Sequence, residues 1–274
     1  MSHDRLIKLL AVFVLAAGTS AAIAAPPGAA ETVTVFSAGS LRGVVGELGA
    51  QVEKAYGIRV VPTFGGSGAL RDRIEHGAPA DLLLSADLGS PRKLQQAGRT
   101  AVPALAFARN RMCIVSPRSA GVTPDNLVEK MLVPTTRVWT STPVVDPGGD
   151  YAAAIFDRID ALHPDTGAAL KSRAEAVRAA TAKAPGSGLA KFAALFAGHK
   201  IDMMVTYCSG ASTLTQQAPQ LASIEVPPSL DPHPVDGMAV LSDRPAVLRV
   251  ALYLLSEAGQ AIVAQNGLVP VARP

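Results

Sequence analysis

Aromatic residues are scarce: one Trp, four Tyr and seven Phe in 274 residues. Lys plus Arg (25) barely exceeds Asp plus Glu (22), and the basic residues are scattered rather than striped. A nucleic-acid surface needs a basic patch interleaved with aromatics, so that class is set aside. Cysteine is nearly missing as well. Cys113 and Cys208 are the only two, and neither lies near the N-terminus, where a lipid anchor would need one. No spacing of His, Cys, Asp and Glu resembles a metal site. After the N-terminal leader, no segment approaches the ~20 consecutive apolar residues of a bilayer span.

The leader itself is informative. Arg5 and Lys8 precede the apolar run Leu9–Ala17, and small residues follow to Ala22-Ile23-Ala24. This is the pattern of a secretory signal peptide over residues 1–24, cut before Ala25. The mature chain is expected outside the cytoplasm, with about 250 residues, enough for one large domain or two lobes. In an oxidising compartment two cysteines favour a disulfide, although two buried free thiols remain open from sequence alone.

The stretch Thr32–Leu41 organises the rest of the chain. Val33–Phe36 reads as a buried strand. Leu41–Tyr56 reads as an amphipathic helix with Leu41, Val44, Val45, Leu48 and Val52 on one face. Ser37–Ser40 lies between them, and Val60–Thr63 followed by Gly65-Gly66-Ser67-Gly68 repeats the arrangement. A helix N-terminus carries unpaired N–H donors and partial positive charge, so two such junctions at neighbouring strand ends would bind one small oxyanion. Ser40 and Ser67 also read as ordinary N-caps.

Further along, Leu82–Leu84, Met112–Ser116, Arg137–Ser141, Met203–Thr206, Ile224–Val226 and Gly237–Leu241 read as strands. The helical patterns between them include Leu70–His76, Pro91–Gln96, Tyr151–Leu162, Thr166–Thr181 and Leu189–Ala197, and the chain ends in two more. Strand–helix alternation argues α/β architecture with mostly parallel sheets covered by helices. The second series has its own strands and loop-to-helix junctions, and so forms a second lobe.

Those junctions are Ser37–Ser40, Gly65–Ser67, Gly148–Tyr151 and Gly186–Leu189, with Tyr207 after its strand as a fifth candidate. None places Lys or Arg at the anion. A cage of neutral donors suits a fully ionised tetrahedral oxyanion better than a carboxylic acid, which usually attracts an Arg. Other readings fit less well. Gly65-Gly66-Ser67-Gly68 lacks the Gly-Lys-Ser/Thr ending of a P-loop and, with Ala69, is one residue short of a nucleophile elbow. A hydrolase would also need His163, His199 or His233 to reach Ser67, and all three sit in polar contexts. Tyr151 and Tyr207 could ligate ferric iron, but nothing clearly placed completes that shell. Trp139 reads as core.

Taken together, Val33-Thr-Val-Phe-Ser-Ala-Gly-Ser-Leu41, Phe64-Gly-Gly-Ser-Gly68, Gly77-Ala-Pro-Ala-Asp-Leu-Leu-Leu-Ser-Ala-Asp87, Ala108-Arg-Asn-Arg111, Asp146-Pro-Gly-Gly-Asp-Tyr-Ala152 and Ser256-Glu-Ala-Gly-Gln-Ala-Ile262 carry a resemblance. The chain resembles the periplasmic molybdate-binding proteins of ABC importers over Thr32–Val271. The resemblance implies a two-lobed type II periplasmic-binding-protein fold, with crossing strands near Phe107–Arg111 and Val235–Val240. Lobe 1 would be residues 25–108 and 237–274, and lobe 2 residues 109–236. It implies capture of molybdate or tungstate by a periplasmic monomer that delivers to a membrane permease. Neither catalysis nor a cofactor is implied. Sulfate, phosphate or a phosphonate is the alternative cargo, and an exported hydrolase the alternative class. By position, the family's donors fall on Ser40, Ser67, Gly148 or Gly149, Leu189 and Tyr207. The Asp-Pro loop is shorter than usual, and Asp150 adds a carboxylate expected to turn outward or cap its helix. The pairing of Cys113 with Cys208 resembles one in a divergent branch of the family, which supports the disulfide.

Overall fold

In the computed structural model, residues 31–271 are described; the expected signal peptide, residues 1–24, lies outside them. The chain enters on β1 (Glu31–Ala38), where Val33, Val35 and Phe36 are all buried because both faces of the strand are covered. One 3-10 turn, Gly39–Leu41, leads into α1 (Arg42–Tyr56). Val44, Val45, Leu48 and Val52 form its buried stripe, and Gly57 ends it in the left-handed conformation at φ 66°. The alternation continues through β2 (Ile58–Gly65), α2 (Ser67–Glu75), β3 (Leu82–Ser85), α3 (Gly89–Gln96) and β4 (Leu105–Arg109).

The middle of the chain supplies β5 (Met112–Pro117), α4 (Leu127–Leu132), β6 (Val138–Trp139), α5 (Pro147–Leu162) and α6 (Gly167–Thr181). Next come α7 (Gly188–Ala197), β7 (Met203–Tyr207), α8 (Cys208–Gln217) and β8 (Leu221–Glu225). The chain returns on β9 (Val235–Val240) and closes with α9 (Pro245–Leu255), α10 (Glu257–Gln265) and β10 (Val269–Pro270).

The strands form two sheets, ordered β10-β4-β9-β3-β1-β2 and β6-β7-β5-β8, each covered by helices. This is the two-lobed α/β arrangement of type II periplasmic binding proteins. The chain passes between sheets at Asn110–Arg111 and again between β8 and β9. The two crossings touch: the Asn110 N–H donates to the Pro234 carbonyl at 2.9 Å. The Asn110 side chain also donates to Ser209 Oγ at 3.0 Å, pinning the crossing to the start of α8.

The sheets are mixed rather than mostly parallel. Among the described strands, β1–β2, β1–β3 and β6–β7 pair in parallel and the other pairs are antiparallel. The reason is the double crossing: β4 carries the chain out and β9 carries it back, so as neighbours they run in opposite directions. The same geometry aims the site. The carboxyl ends of β1, β2 and β3 point toward the second sheet. β7 runs against the outgoing β5 and β6 runs with β7, so their carboxyl ends point back. Ligands of open α/β sheets bind at such ends.

Helix α5 starts at Pro147, four residues before the expected Tyr151. Asp146 accepts the Gly148 N–H and Pro147 occupies the first turn, so the Asp-Pro pair is an N-cap with its N1 proline rather than loop. Likewise β6 spans only Val138–Trp139 instead of Arg137–Ser141. Trp139 is half-buried, with its ring edge-on to Phe192 at 4.5 Å.

Cys113 and Cys208 are bonded, with Cα atoms 4.9 Å apart at a sequence separation of 95. Closing so long a loop removes much freedom from the unfolded chain. Replacing both cysteines by serine is expected to lower the unfolding free energy by about 2–5 kcal/mol. Denaturant titration of the double variant, and of the wild type with and without reductant, measures this; equal midpoints throughout would show that the bridge adds nothing.

Candidate ligand-binding cleft

Ser40 sits in the 3-10 turn between β1 and α1. It is not an N-cap: α1 has Leu41 at that position, with no side-chain capping bond. Its Oγ is buried and has no hydrogen-bond partner among the described residues. Ser67 is the first residue of α2 and is fully buried; the N-cap is Gly66, again without a side-chain bond. Ser67 Oγ instead accepts the Ala86 N–H at 3.1 Å, tying α2 to the turn after β3.

From the other lobe, the Tyr207 hydroxyl at the end of β7 donates to the Ala86 carbonyl at 3.3 Å. Ser67 and Tyr207 therefore meet on one residue, held from both sides of the seam. Tyr151, in the first turns of α5, packs edge-on to Tyr207 with ring centres 6.1 Å apart. A Cβ on Gly148 would stand 3.5 Å from the Tyr207 ring, which puts the α5 N-terminus beside the same phenol.

The α5 donors are already engaged. The Gly148 N–H donates to Asp146 Oδ1 at 2.9 Å, and the Gly149 N–H to the Asp146 carbonyl at 2.8 Å. Leu189 is also apart from the group. Its side chain packs against the second cluster, as Trp139, Phe192 and Cys208 do, whereas Tyr207 belongs to the first. Asp150 does not simply turn outward. Its carboxylate accepts the Val144 N–H at 2.9 Å, bracing the 142–146 loop, and it also borders the cleft.

The lobes are in direct contact here. The Ala69 N–H of α2 donates to the Val145 carbonyl at 3.2 Å. Gly68 allows this approach, since a Cβ there would lie only 2.0 Å from the Val144 carbonyl oxygen. Outside this contact lies a cleft of about 670 Å³ bordered by Arg71, Asp87, Arg92, Lys93, Asp150 and His233. Of its basic side chains, Arg92 and Lys93 are exposed, and Arg71 is paired with Asp72 and Glu75. His163, His199 and His233 are exposed, and Ser67 is bonded to Ala86 rather than to any of them.

Neutral hydroxyls and acidic groups thus share the seam. Burial, with the charges of Asp146 and Asp236 adding, holds the Tyr207 phenol well above its ordinary pKa, so it remains an O–H donor. Burial and the Asp87 charge push Tyr151 up to about 12. Burial also raises Asp146, although the Gly148 N–H and the Ser141 hydroxyl pull it down. Sequence reasoning missed Asp87, Asp146 and Asp236 as seam residues. The legible signal for Asp236 was a lone charge inside the apolar run Val235–Val240.

Comparison with known proteins bears on the family and the fold. The chain is 31% identical over 197 residues to an uncharacterized protein of Pasteurella multocida (strain Pm70), covering 70% of this chain and 80% of that one. A 55-residue stretch is 46% identical to the molybdate-binding protein ModA of Escherichia coli (strain K12), covering 20% of this chain and 21% of that protein. The solved sulfate-binding protein SubI of Mycobacterium tuberculosis H37Rv superimposes with a TM-score of 0.68 at 17% identity, over 88% of this chain and 87% of that one. The model of the family described as bacterial extracellular solute-binding protein matches residues 33–269. The chain belongs to the bacterial extracellular solute-binding protein family.

Proposed function

We propose that this protein captures a tetrahedral oxyanion, molybdate or tungstate, in the periplasm and presents it to an ABC permease. The observation that carries the reading is Ser40. A hydroxyl buried without a partner is costly, and this one lies at the carboxyl end of β1, next to the strand ends that bear Ser67 and Ala86. An anion received there would accept from Ser40 and Ser67, draw Tyr207 away from Ala86, and compete with Asp146 for the Gly148 and Gly149 N–H groups. Leu189 would add its backbone N–H through movement of the α7 start. The stretch similar to ModA supports molybdate as the cargo.

A second reading has a specific observation behind it. Asp146 stands at the seam, where a Cβ on Gly66 would lie 3.2 Å from the Asp146 Cβ. A carboxylate there repels a bare dianion and accepts from an anion that carries its own O–H. Hydrogen phosphate or a phosphonate would satisfy it.

Thermal shift and calorimetry with molybdate, tungstate, sulfate and phosphate separate the two. Molybdate and tungstate are expected to raise the melting temperature most, through linkage to the closed state. Phosphate alone doing so would move the assignment to protonated oxyanions, and no shift with any of the four would end it. Ser40→Ala should weaken binding by about 10- to 100-fold, the worth of a hydrogen bond to a charged group, with little change in the unliganded melting temperature. Gly68→Ala makes a sharper test of closure. The added methyl meets the Val144 carbonyl only when the lobes are shut, so affinity should collapse while unliganded stability holds or rises by up to ~1 kcal/mol from helix propensity. Wild-type affinity in that variant would show that capture does not use this closed contact.

A further inference from the structure

Strand β9 brings the chain back into the first sheet and carries one acidic side chain in an otherwise apolar run. Asp236 is fully buried, and neither of its carboxyl oxygens has a hydrogen-bond partner among the described residues. A carboxylate in that position is strongly disfavoured as an ion and takes a proton in preference. Its place matters as much as its burial. Register sets Asp236 opposite Ala108 and its neighbour Gly237 opposite Ser85. A Cβ on Gly237 would stand 2.8 Å from the Asp87 carbonyl, so Asp236 lies beside the turn that carries Ala86.

The groups around it come from both lobes. Asp87 is the charge that acts on it, and has the same sign; its carboxylate is held by the Ser85 and Ser90 hydroxyls at 3.1 and 2.9 Å. From the second lobe, the Tyr151 and Tyr207 phenols both feel the Asp236 charge, and Asp146 lies near Tyr207. Arg109 on the neighbouring β4 is exposed. On α3, Arg92 and Lys93 are exposed at the cleft mouth. On α9, Arg244 is committed to Asp81 and Glu31, and Arg249 lies over Tyr56. Among the described residues, no cation is bonded to this carboxyl.

We propose that Asp236 is the proton acceptor of cleft closure: the protein takes up one proton from solvent on this carboxyl as the lobes shut over an anion. Asp236 and Asp87 belong to the first sheet's lobe and the two phenols to the second. Opening draws the phenols away and returns water to the carboxyl; closure removes the water and leaves two acids side by side. Protonation relieves both costs, and it removes one negative charge from a seam about to receive an anion. The inference rests on the proposed capture of an anion in the cleft.

The sign of the pH dependence is fixed by the direction of the shift. In the closed form burial, with the Asp87 charge adding, raises Asp236 to about 7, whereas a solvated Asp titrates near about 4. The closed form therefore holds the proton more tightly. Affinity should be greatest in acid, fall by up to tenfold per pH unit between about pH 5 and 7, and level off above about pH 8.

Calorimetric titration with molybdate, at two pH values and in buffers of different ionisation enthalpy, counts the protons. Uptake approaching one proton per anion is expected at pH 6, and a smaller fraction at pH 7. Asp236→Asn should still bind, with no uptake and a flat pH profile. Absence of uptake in the wild type overturns the inference, as does uptake that persists in Asp236→Asn. The wild-type count needs no variant, so an unstable Asp236→Asn leaves it standing. If no oxyanion binds, the capture reading has failed, and denaturant unfolding from pH 5 to 8 decides for Asp236 alone. The wild type should then lose stability relative to Asp236→Asn as pH rises toward 7, and parallel profiles would overturn the assignment.

Discussion

Contact between the first turn of α2 and the carbonyls of Val144 and Val145 joins the two lobes across the cleft. It is a backbone-to-backbone approach, with the Ala69 N–H on the Val145 carbonyl and Gly66 and Gly68 leaving room where a side chain would collide. Glycine serves here by what it omits, not by adopting an unusual φ. In the same structure Tyr207 reaches Ala86, and the Ser40 hydroxyl and the Asp236 carboxyl are buried.

The dry seam then sets the electrostatics. Tyr207 is buried and kept protonated, so its hydroxyl donates. The acidic groups, Asp87, Asp146 and Asp236, are handled in three ways. Asp87 is bonded by serine hydroxyls, Asp146 by a helix N-terminal N–H, and Asp236 by nothing among the described residues. Neutral and acidic groups beside a proposed anion make charge the deciding variable. Proton uptake at the unpaired carboxyl would lower that charge at the moment of closure, without an arginine that would compete for the anion.

Much of the fold was legible because period and punctuation agreed. Val44, Val45, Leu48 and Val52 lie on the buried face of α1 as their spacing requires, and Gly57 stops the helix. Sheet direction was not legible. Local sequence does not encode whether a strand leaves a lobe or returns to it, so the antiparallel entry of β9 appears only in the pairing. For the site, strand-end junctions identified Ser40, Ser67 and Tyr207 as residues near one seam. The partners of those residues are tertiary: Ala86 is an ordinary alanine whose N–H and carbonyl happen to face both lobes. The Asp146 carboxylate escapes the sequence for a different reason, since Asp-Pro fits a loop and a capped helix start equally well.

The disulfide belongs to the same arrangement. Cys113 pairs in register with Thr206, and Cys208 is the residue after Tyr207. The bridge therefore fastens the end of β7 to the strand through which the chain enters the second lobe. The Cys208 N–H donates to the Arg111 carbonyl at 2.8 Å, and Asn110 reaches Ser209, so Asn110, Arg111 and Cys113 are all tied to the start of α8. Tyr207 is thus held beside the crossing as well as in its own sheet, where it pairs with Met112. The bridge and these hydrogen bonds hold the strand end that presents the phenol to the Ala86 carbonyl.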